Sequence, residues 1–544
     1  MLPYLSVLAT ICVSTLAATP SSWSPDVQQL FSDSMKWLDM NYDSNDGYLY
    51  DLNTQEALRH ETRSSAWYAL GLLARNENND VAEAEKIIGN VIGGQFKNTT
   101  QQWYGTYQKY PEEPEVGSPL YSARIYSSWD PNWRGFVGTT FIIILEEYSE
   151  LLSAETQQLI LDSLVHTAIG DSYRNGGQNG DNLYPSYSNP VILPFEKVQA
   201  IMRAFVSGWV GRKTNDQNMT SAGETYAKDI IALFNKTNTL SEFNSATYTG
   251  VSVFGLTLWS SYLPEDSAMS QMGPVMLQKT WDSLSQLWHP TMKNLAGPWD
   301  RTYGYDMNRY VSVMALWFWA YLGKNASSLI NQPHLMSHSP DYAWGPLVAV
   351  LADTQARHLP DNFFDQFKTF DKERTFTAQA YYPPNDLEIR NITTWMSEKL
   401  TIGGMSYNQT GVGGPTGTTN PVVVQWITND EVAFLTLRPS EKALQAEVSP
   451  GKVVLSYPSG NADSKFQLIA TTFKGRKTLA GVKHMQGILM TPSGNINMAY
   501  VTKFAGDNGG ELSPSNTFEY WSFTWTMPAG FTGVPQLTLE FKLS

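Results

Sequence analysis

The feature that most constrains this chain is a change of hydrophobic period near residue 375. Before it, apolar residues recur every three or four positions; after it, they alternate. Arg134 to Leu152 sets Val137, Phe141, Ile144, Leu145, Tyr148 and Leu152 on one helical face. Phe195 to Gly211 repeats the spacing, with Pro194 in the first turn and Gly208 and Gly211 towards the end. Asp306 to Gly323 repeats it with Tyr310, Val313, Met314, Trp317 and Tyr321. Shorter patterns at 25–41, 61–75, 80–95, 154–169, 221–234, 250–263, 273–288 and 341–355 predict about eleven helices, with almost no strand among them. Beyond the change, Gln536 to Leu543 puts Leu537, Leu539, Phe541 and Leu543 on one face and Thr538, Glu540 and Lys542 on the other. Phe518–Met527, Val453–Tyr457, Phe466–Phe473 and Ile496–Phe504 read as further strands between turn signals such as PSGN. The expected organisation is a helical domain over 24–360 and an antiparallel β-sandwich domain over 375–544.

The helices are of two kinds. The more apolar ones begin near 61, 134, 194, 250, 306 and 341, and more polar ones such as 80–95, 154–169 and 221–234 lie between them. Alternation of dry and wet helices suits two concentric rings, the (α/α)6-type toroid, in which each helix pair buries its face against the next. Long loops precede most of the apolar helices and are rich in Tyr, Trp, Asn, Gly and Arg. In a toroid these loops emerge on one face, where long loops are usually functional.

Charge and composition exclude several functions. A net charge of -14 argues against general nucleic-acid binding and against adsorption to anionic membranes. No internal stretch reaches the ~20 apolar residues of a membrane span. Residues 1–18 read as a secretory signal peptide, apolar from Pro3 and ending in small residues. The single cysteine, Cys12, lies inside it, so the mature protein holds neither disulfide nor thiolate. Asn-X-Ser/Thr sequons at Asn98, Asn218, Asn235, Asn325, Asn391 and Asn408 fit a secreted, extracellular glycoprotein. No cofactor is implied. The chain has no HExxH and no EF-hand loop, so no metal site is expected.

The helical toroid, the β domain and the segment YTGVSVFGLTLWSSYLP (248–264) together resemble secreted polysaccharide lyases of the chondroitin AC, hyaluronate, alginate and heparinase type. The segment is similar to an inner helix of that group, although an Asn-Trp-Trp-type motif is lacking. The resemblance implies β-elimination from a uronate-containing glycan, served by Tyr, His, Asn and Arg. Such a reaction needs a base for the C5 proton, an acid for the leaving oxygen and a cation or amide for the carboxylate.

Residues that suit these roles lie at or just before the apolar helices. Tyr248 and Tyr303 are candidates for proton transfer, His60 is an alternative base, and Arg301 and Arg309 are candidates to neutralise the carboxylate. An Arg beside a Tyr is expected to stabilise the phenolate and lower its pKa. Arg63, Arg134, Asn182, Trp133, Tyr187 and Trp299 are candidates for substrate binding, the aromatics by stacking on sugar rings. All eleven are expected to converge on one mouth of the toroid. Asp130, Asp181, Asp300 and Asp306 support a rival reading, an (α/α)6 glycoside hydrolase with a carboxylate pair. A glycan-binding protein, or a small-molecule dehydratase or cyclase on the same toroid, are further alternatives.

Overall fold

Local capping and periodicity explain where the helices begin and end. In the computed structural model, the described residues are 20–51, 58–172, 201–301, 312–326, 339–383, 386–409, 419–428, 431–471, 485–505 and 520–544. Residues 1–18, expected to be a signal peptide, lie outside them, as do Asn182, Tyr187, Tyr303, Arg309, Asp181 and Asp306. Helix α1 (Pro25–Asp39) starts with Pro in its first turn and with Ser24 as its cap. It is followed by α2 (Thr62–Arg75), α3 (Asp80–Gly93), α4 (Asn132–Glu147), α5 (Ala154–Ser172) and α6 (Ile201–Lys213). Then come α7 (Gln217–Thr237), α8 (Ala246–Ser261), α9 (Ala268–Leu287), α10 (Ser312–Leu322) and α11 (Gly345–Ala356). Asp216 caps α7 and Ser267 caps α9.

Burial separates two rings. Helix α2 is buried without a break from Thr62 to Ala74, and α8 from Ala246 to Trp259. Helices α2, α4, α6, α8, α10 and α11 touch in that order, and α11 returns to α2. Around them α3, α5, α7 and α9 pack on α2, α4, α6 and α8, while α1 covers α10 and α11. These outer helices bury one stripe only; α7 buries Gly223, Tyr226, Ala227, Ile230, Leu233 and Phe234. Gly223 approaches the backbone of Gly208 so closely that a Cβ would lie 2.4 Å from its nitrogen, which lets α6 and α7 meet. No helix among the described residues is long and apolar enough to cross a membrane.

The helical half also contains short strands that the periodicity did not show. β1 (Tyr42–Asp43), β2 (Tyr48–Tyr50) and β3 (His60–Glu61) form one small sheet, and β4 (Trp288–His289) pairs with β5 (Asn294–Leu295). Segments of two or three residues carry no alternation to detect.

The C-terminal half is antiparallel throughout. Its strands are β6 (Arg374–Ala380), β7 (Arg390–Met396), β8 (Leu400–Asn408), β9 (Val422–Thr428), β10 (Glu431–Pro439) and β11 (Ala443–Ser449). β12 (Lys452–Ser456), β13 (Lys465–Thr471), β14 (Ile488–Gly494), β15 (Val501–Ala505), β16 (Tyr520–Thr526) and β17 (Gln536–Leu543) complete it. The expected strand Ile496–Phe504 is shorter than predicted, starting at Val501. The strands make one curled, continuous sheet rather than two separate layers. Leu400–Gly404 of β8 pair with β9, whereas Tyr407 and Asn408 pair with β11, so β8 belongs to both halves. A Cβ on Gly404 would lie within contact of Val448 and Ala446 of β11, so β8 and β11 approach closely where the sheet curls.

Candidate active site

The segments that enter α2, α4 and α8 form two adjoining nests of charged and aromatic side chains. The first surrounds the start of α2. Glu61 caps the helix, accepting from Ser64 N at 3.1 Å, and pairs with Arg63 at 3.0 Å. Arg63 is buried, with its guanidinium 4.4 Å from the centre of the Trp133 ring and 5.0 Å from that of Trp67. The Trp133 indole N–H donates to Thr62 Oγ1 at 3.0 Å. Lys109 lies at the edge, 5.7 Å from the Trp133 ring, and donates to Ser127 O at 3.0 Å. Burial pushes the Lys109 ammonium below its usual pKa, against the pull of Asp130, Glu113 and Glu61.

The second nest surrounds the start of α8. Arg301 pairs with buried Glu242 at 2.7 Å and lies over Tyr248, 4.1 Å from the ring centre. Ser245 Oγ donates to Arg301 O. Asn244 adopts a left-handed φ of 50° and donates to Ala296 O and Pro298 O, both at 2.7 Å. Thr247 Oγ1 donates to Asp341 Oδ2 at 2.8 Å and so ties α8 to the turn before α11. Tyr248 is 1% exposed, and burial holds its hydroxyl well above the usual tyrosine range. Arg301 opposes this, while Glu242, Asp341 and Asp130 add to it. Trp344 stands between α2 and α8, its ring 5.1 Å from that of Trp67 and 4.7 Å from that of Phe254, which makes the two nests neighbours.

The sequence candidates divide accordingly. Arg63 with Trp133, and Tyr248 with Arg301, are brought together in pairs. The general expectation that an Arg beside a Tyr lowers its pKa holds at Tyr248 only as a minor influence: Arg301 lowers it, but desolvation outweighs the cation and keeps the phenol protonated. Trp133 is corrected as a stacking platform, since Arg63 covers its ring and only 4% of it is exposed. Arg134 is buried below the mouth, where it donates to Tyr104 O at 2.7 Å and lies 3.6 Å from Asp171, so it is a packing residue rather than a substrate ligand. Trp299 is fully buried and exchanges backbone hydrogen bonds with Asn420 of the β domain, which closes it to a sugar. His60 is also buried, with Nδ1 bonded to Glu112.

Of the rival carboxylates, Asp300 is paired with Arg390 of β7. It belongs to the junction between the domains, and burial pushes its pKa up to about 6. Lys109, Glu242, Asn244 and Asp341 were missed. Glu242 and Asn244 immediately precede an apolar helix, so the rule that selected His60 and Arg63 also selects them. Lys109 carried only its place in an aromatic loop.

Comparison with known proteins gives a family. Heparinase III matches over 99% of this chain and 88% of its own, at 10% identity and a TM-score of 0.46. Chondroitin AC lyase of Streptomyces coelicolor A3 matches over 96% and 80%, at 8% identity and a TM-score of 0.37. Endoglucanase CelQ of Clostridium thermocellum matches over 95% and 92%, at 11% identity and a TM-score of 0.27. No curated protein matches the sequence. One family model, a domain of unknown function (DUF8770), covers residues 372–542, the β half. The other covers residues 28–353, the whole run of helices whose entry segments build both nests, and the chain belongs to its family, the domain of unknown function DUF8769.

Proposed function

We propose that this protein is a carbohydrate-active enzyme that cleaves a uronate-containing polysaccharide by β-elimination. The observation that carries the reading is the Arg301 guanidinium held over the Tyr248 ring by Glu242. A phenol kept protonated by burial is a proton donor, so Tyr248 serves as the acid for the leaving glycosidic oxygen. Lys109, whose charged form burial disfavours, is the residue suited to accept the C5 proton. As that proton leaves, the C–H electrons form the C4–C5 double bond. The C4–O bond breaks, and its oxygen takes the Tyr248 proton. Arg301, more exposed than Arg63, supplies positive charge towards the carboxylate.

Secretion and glycosylation form part of the same proposal. Asn98, Asn218, Asn235, Asn325 and Asn391 are exposed, which supports it, whereas Asn408 is half-buried in β8. The test is incubation with a panel of uronate polymers, following the absorbance of the unsaturated product and new reducing ends together. Elimination raises both in step. Reducing ends without unsaturation would instead indicate a hydrolase working through Asp130, and binding without either product would indicate a glycan-binding protein.

A further inference from the structure

The hairpin that precedes α2 brings three metal-type ligands to one point. Asp43, Asp46 and His60 each offer one ligand atom, and these atoms lie within 4.8 Å of one another. The local sequence explains the arrangement. Asp43 closes an Asx turn, its Oδ1 accepting from Asn45 N at 2.9 Å and Asp46 N at 3.4 Å. The ladder then sets Asp43 opposite Tyr48 and Tyr50 opposite His60. The Tyr50 hydroxyl donates to Asp43 Oδ2 at 2.8 Å, and its ring stacks on the imidazole with centres 4.6 Å apart.

Two acids in a turn are not a site by themselves; His60 supplies the independent observation. Its side chain is only 8% exposed, and Nδ1 is taken by the Glu112 carboxylate. Nε2 is buried, makes no hydrogen bond and faces Asp43 Oδ2 at 3.7 Å. An acceptor on Nδ1–H fixes the tautomer that leaves the lone pair on Nε2. A cation bound between this nitrogen and the Asp43 carboxylate would satisfy both. An imidazole oriented by a carboxylate on its far nitrogen is the usual arrangement of a metal-bound histidine.

We propose that Asp43, Asp46 and His60 bind a zinc-type divalent cation, with Glu112 orienting the imidazole from behind. Metal–ligand bonds of ~2.0–2.2 Å at a tetrahedral angle set ligand atoms roughly 3.4 Å apart, so the Nε2–Oδ2 spacing needs only a small contraction. One nitrogen and two carboxylates favour zinc over calcium, which takes oxygen ligands. Asp46 is exposed, so solvent fills the remaining position. The cation ties the β1–β2 turn to β3, one residue before Glu61 and three before Arg63, and so holds the first nest in place. It also removes His60 as a base, because the bound Nε2 lone pair is no longer available for a proton. The assignment does not depend on the elimination reading.

The experiment uses the full chain, stripped with a chelator and then dialysed against zinc or calcium, with bound metal measured by mass spectrometry and affinity by calorimetry. A single zinc per chain is expected. The carboxylate of Asp46 lies in an exposed turn, so Asp46→Asn folds normally and weakens zinc binding at least tenfold. Glu112→Gln weakens it roughly 10–100-fold through the imidazole, and His60→Asn abolishes it. Absence of zinc uptake by the wild-type chain overturns the proposal, as does zinc binding unchanged in Asp46→Asn and Glu112→Gln. Uptake of calcium but not zinc overturns the nitrogen ligand.

Discussion

At Tyr248 two opposing influences act on one hydroxyl. Arg301, 4.1 Å from the ring centre, favours the phenolate, while burial and three surrounding carboxylates favour the phenol. Burial dominates because removal from water penalises a charge more than one half-neutralised cation rewards it; Arg301 already pairs with Glu242. The residue is therefore an acid in its resting state. Tyr248→Phe removes only the hydroxyl, so stability is expected to change by about 1 kcal/mol at most. The rate of unsaturated-product formation is expected to fall by roughly 100-fold or more. Steady-state rates and urea midpoints on the same preparations separate the two effects, and a variant with full activity removes Tyr248 from the mechanism.

Among the elements, α2 depends most on a single side chain. Glu61 accepts the Ser64 N–H at the helix start and neutralises Arg63 inside the ring. Glu61→Ala loses a cap and the Arg63 ion pair. The expected cost is at least about 1 kcal/mol from the lost cap, read as a drop in the chemical unfolding midpoint. The inner helices were legible in the sequence as long apolar runs, and the outer ones as one-sided stripes. The hairpins β1–β2–β3 and β4–β5 were not, because pairing of two or three residues is decided by what lies opposite them.

For the molecule as a whole, the junction between the halves is polar and close. Arg390 of β7 reaches Asp300, Asp386 and Ser241 O, and Thr394 Oγ1 donates to Gly297 O at 2.7 Å. A Cβ on Gly403 would lie 1.8 Å from Gly297 O, a backbone atom that cannot turn aside. Gly403→Ala is therefore expected to cost at least about 3 kcal/mol and to expose the junction to limited proteolysis. Asp300 and Asp386 share one guanidinium, and burial raises the pKa of both, that of Asp300 to about 6. The unfolded chain releases the Asp300 proton near its ordinary value of 3.8, before the folded chain does. Between these values the folded state binds more protons, so this group removes stability as pH rises and adds no further slope above about 6. Asp300→Asn lacks that loss. Its unfolding free energy relative to wild type is expected to rise by about 2 kcal/mol between pH 4 and pH 6, measured by urea titration at each pH.

The sequence alone determined the type and order of the main elements and the change from helices to strands, because a period of 3.6 or 2 is written in neighbouring residues. It also located the segments that enter the inner ring. Only the tertiary structure decided which side chains there remain available. Arg134 meets Asp171, Arg301 meets Glu242, Asp300 meets Arg390 and Trp299 meets Asn420, each across a long stretch of chain. Desolvation and ion pairing depend on what surrounds a group in space, so the roles of these residues were set by partners that no local pattern names.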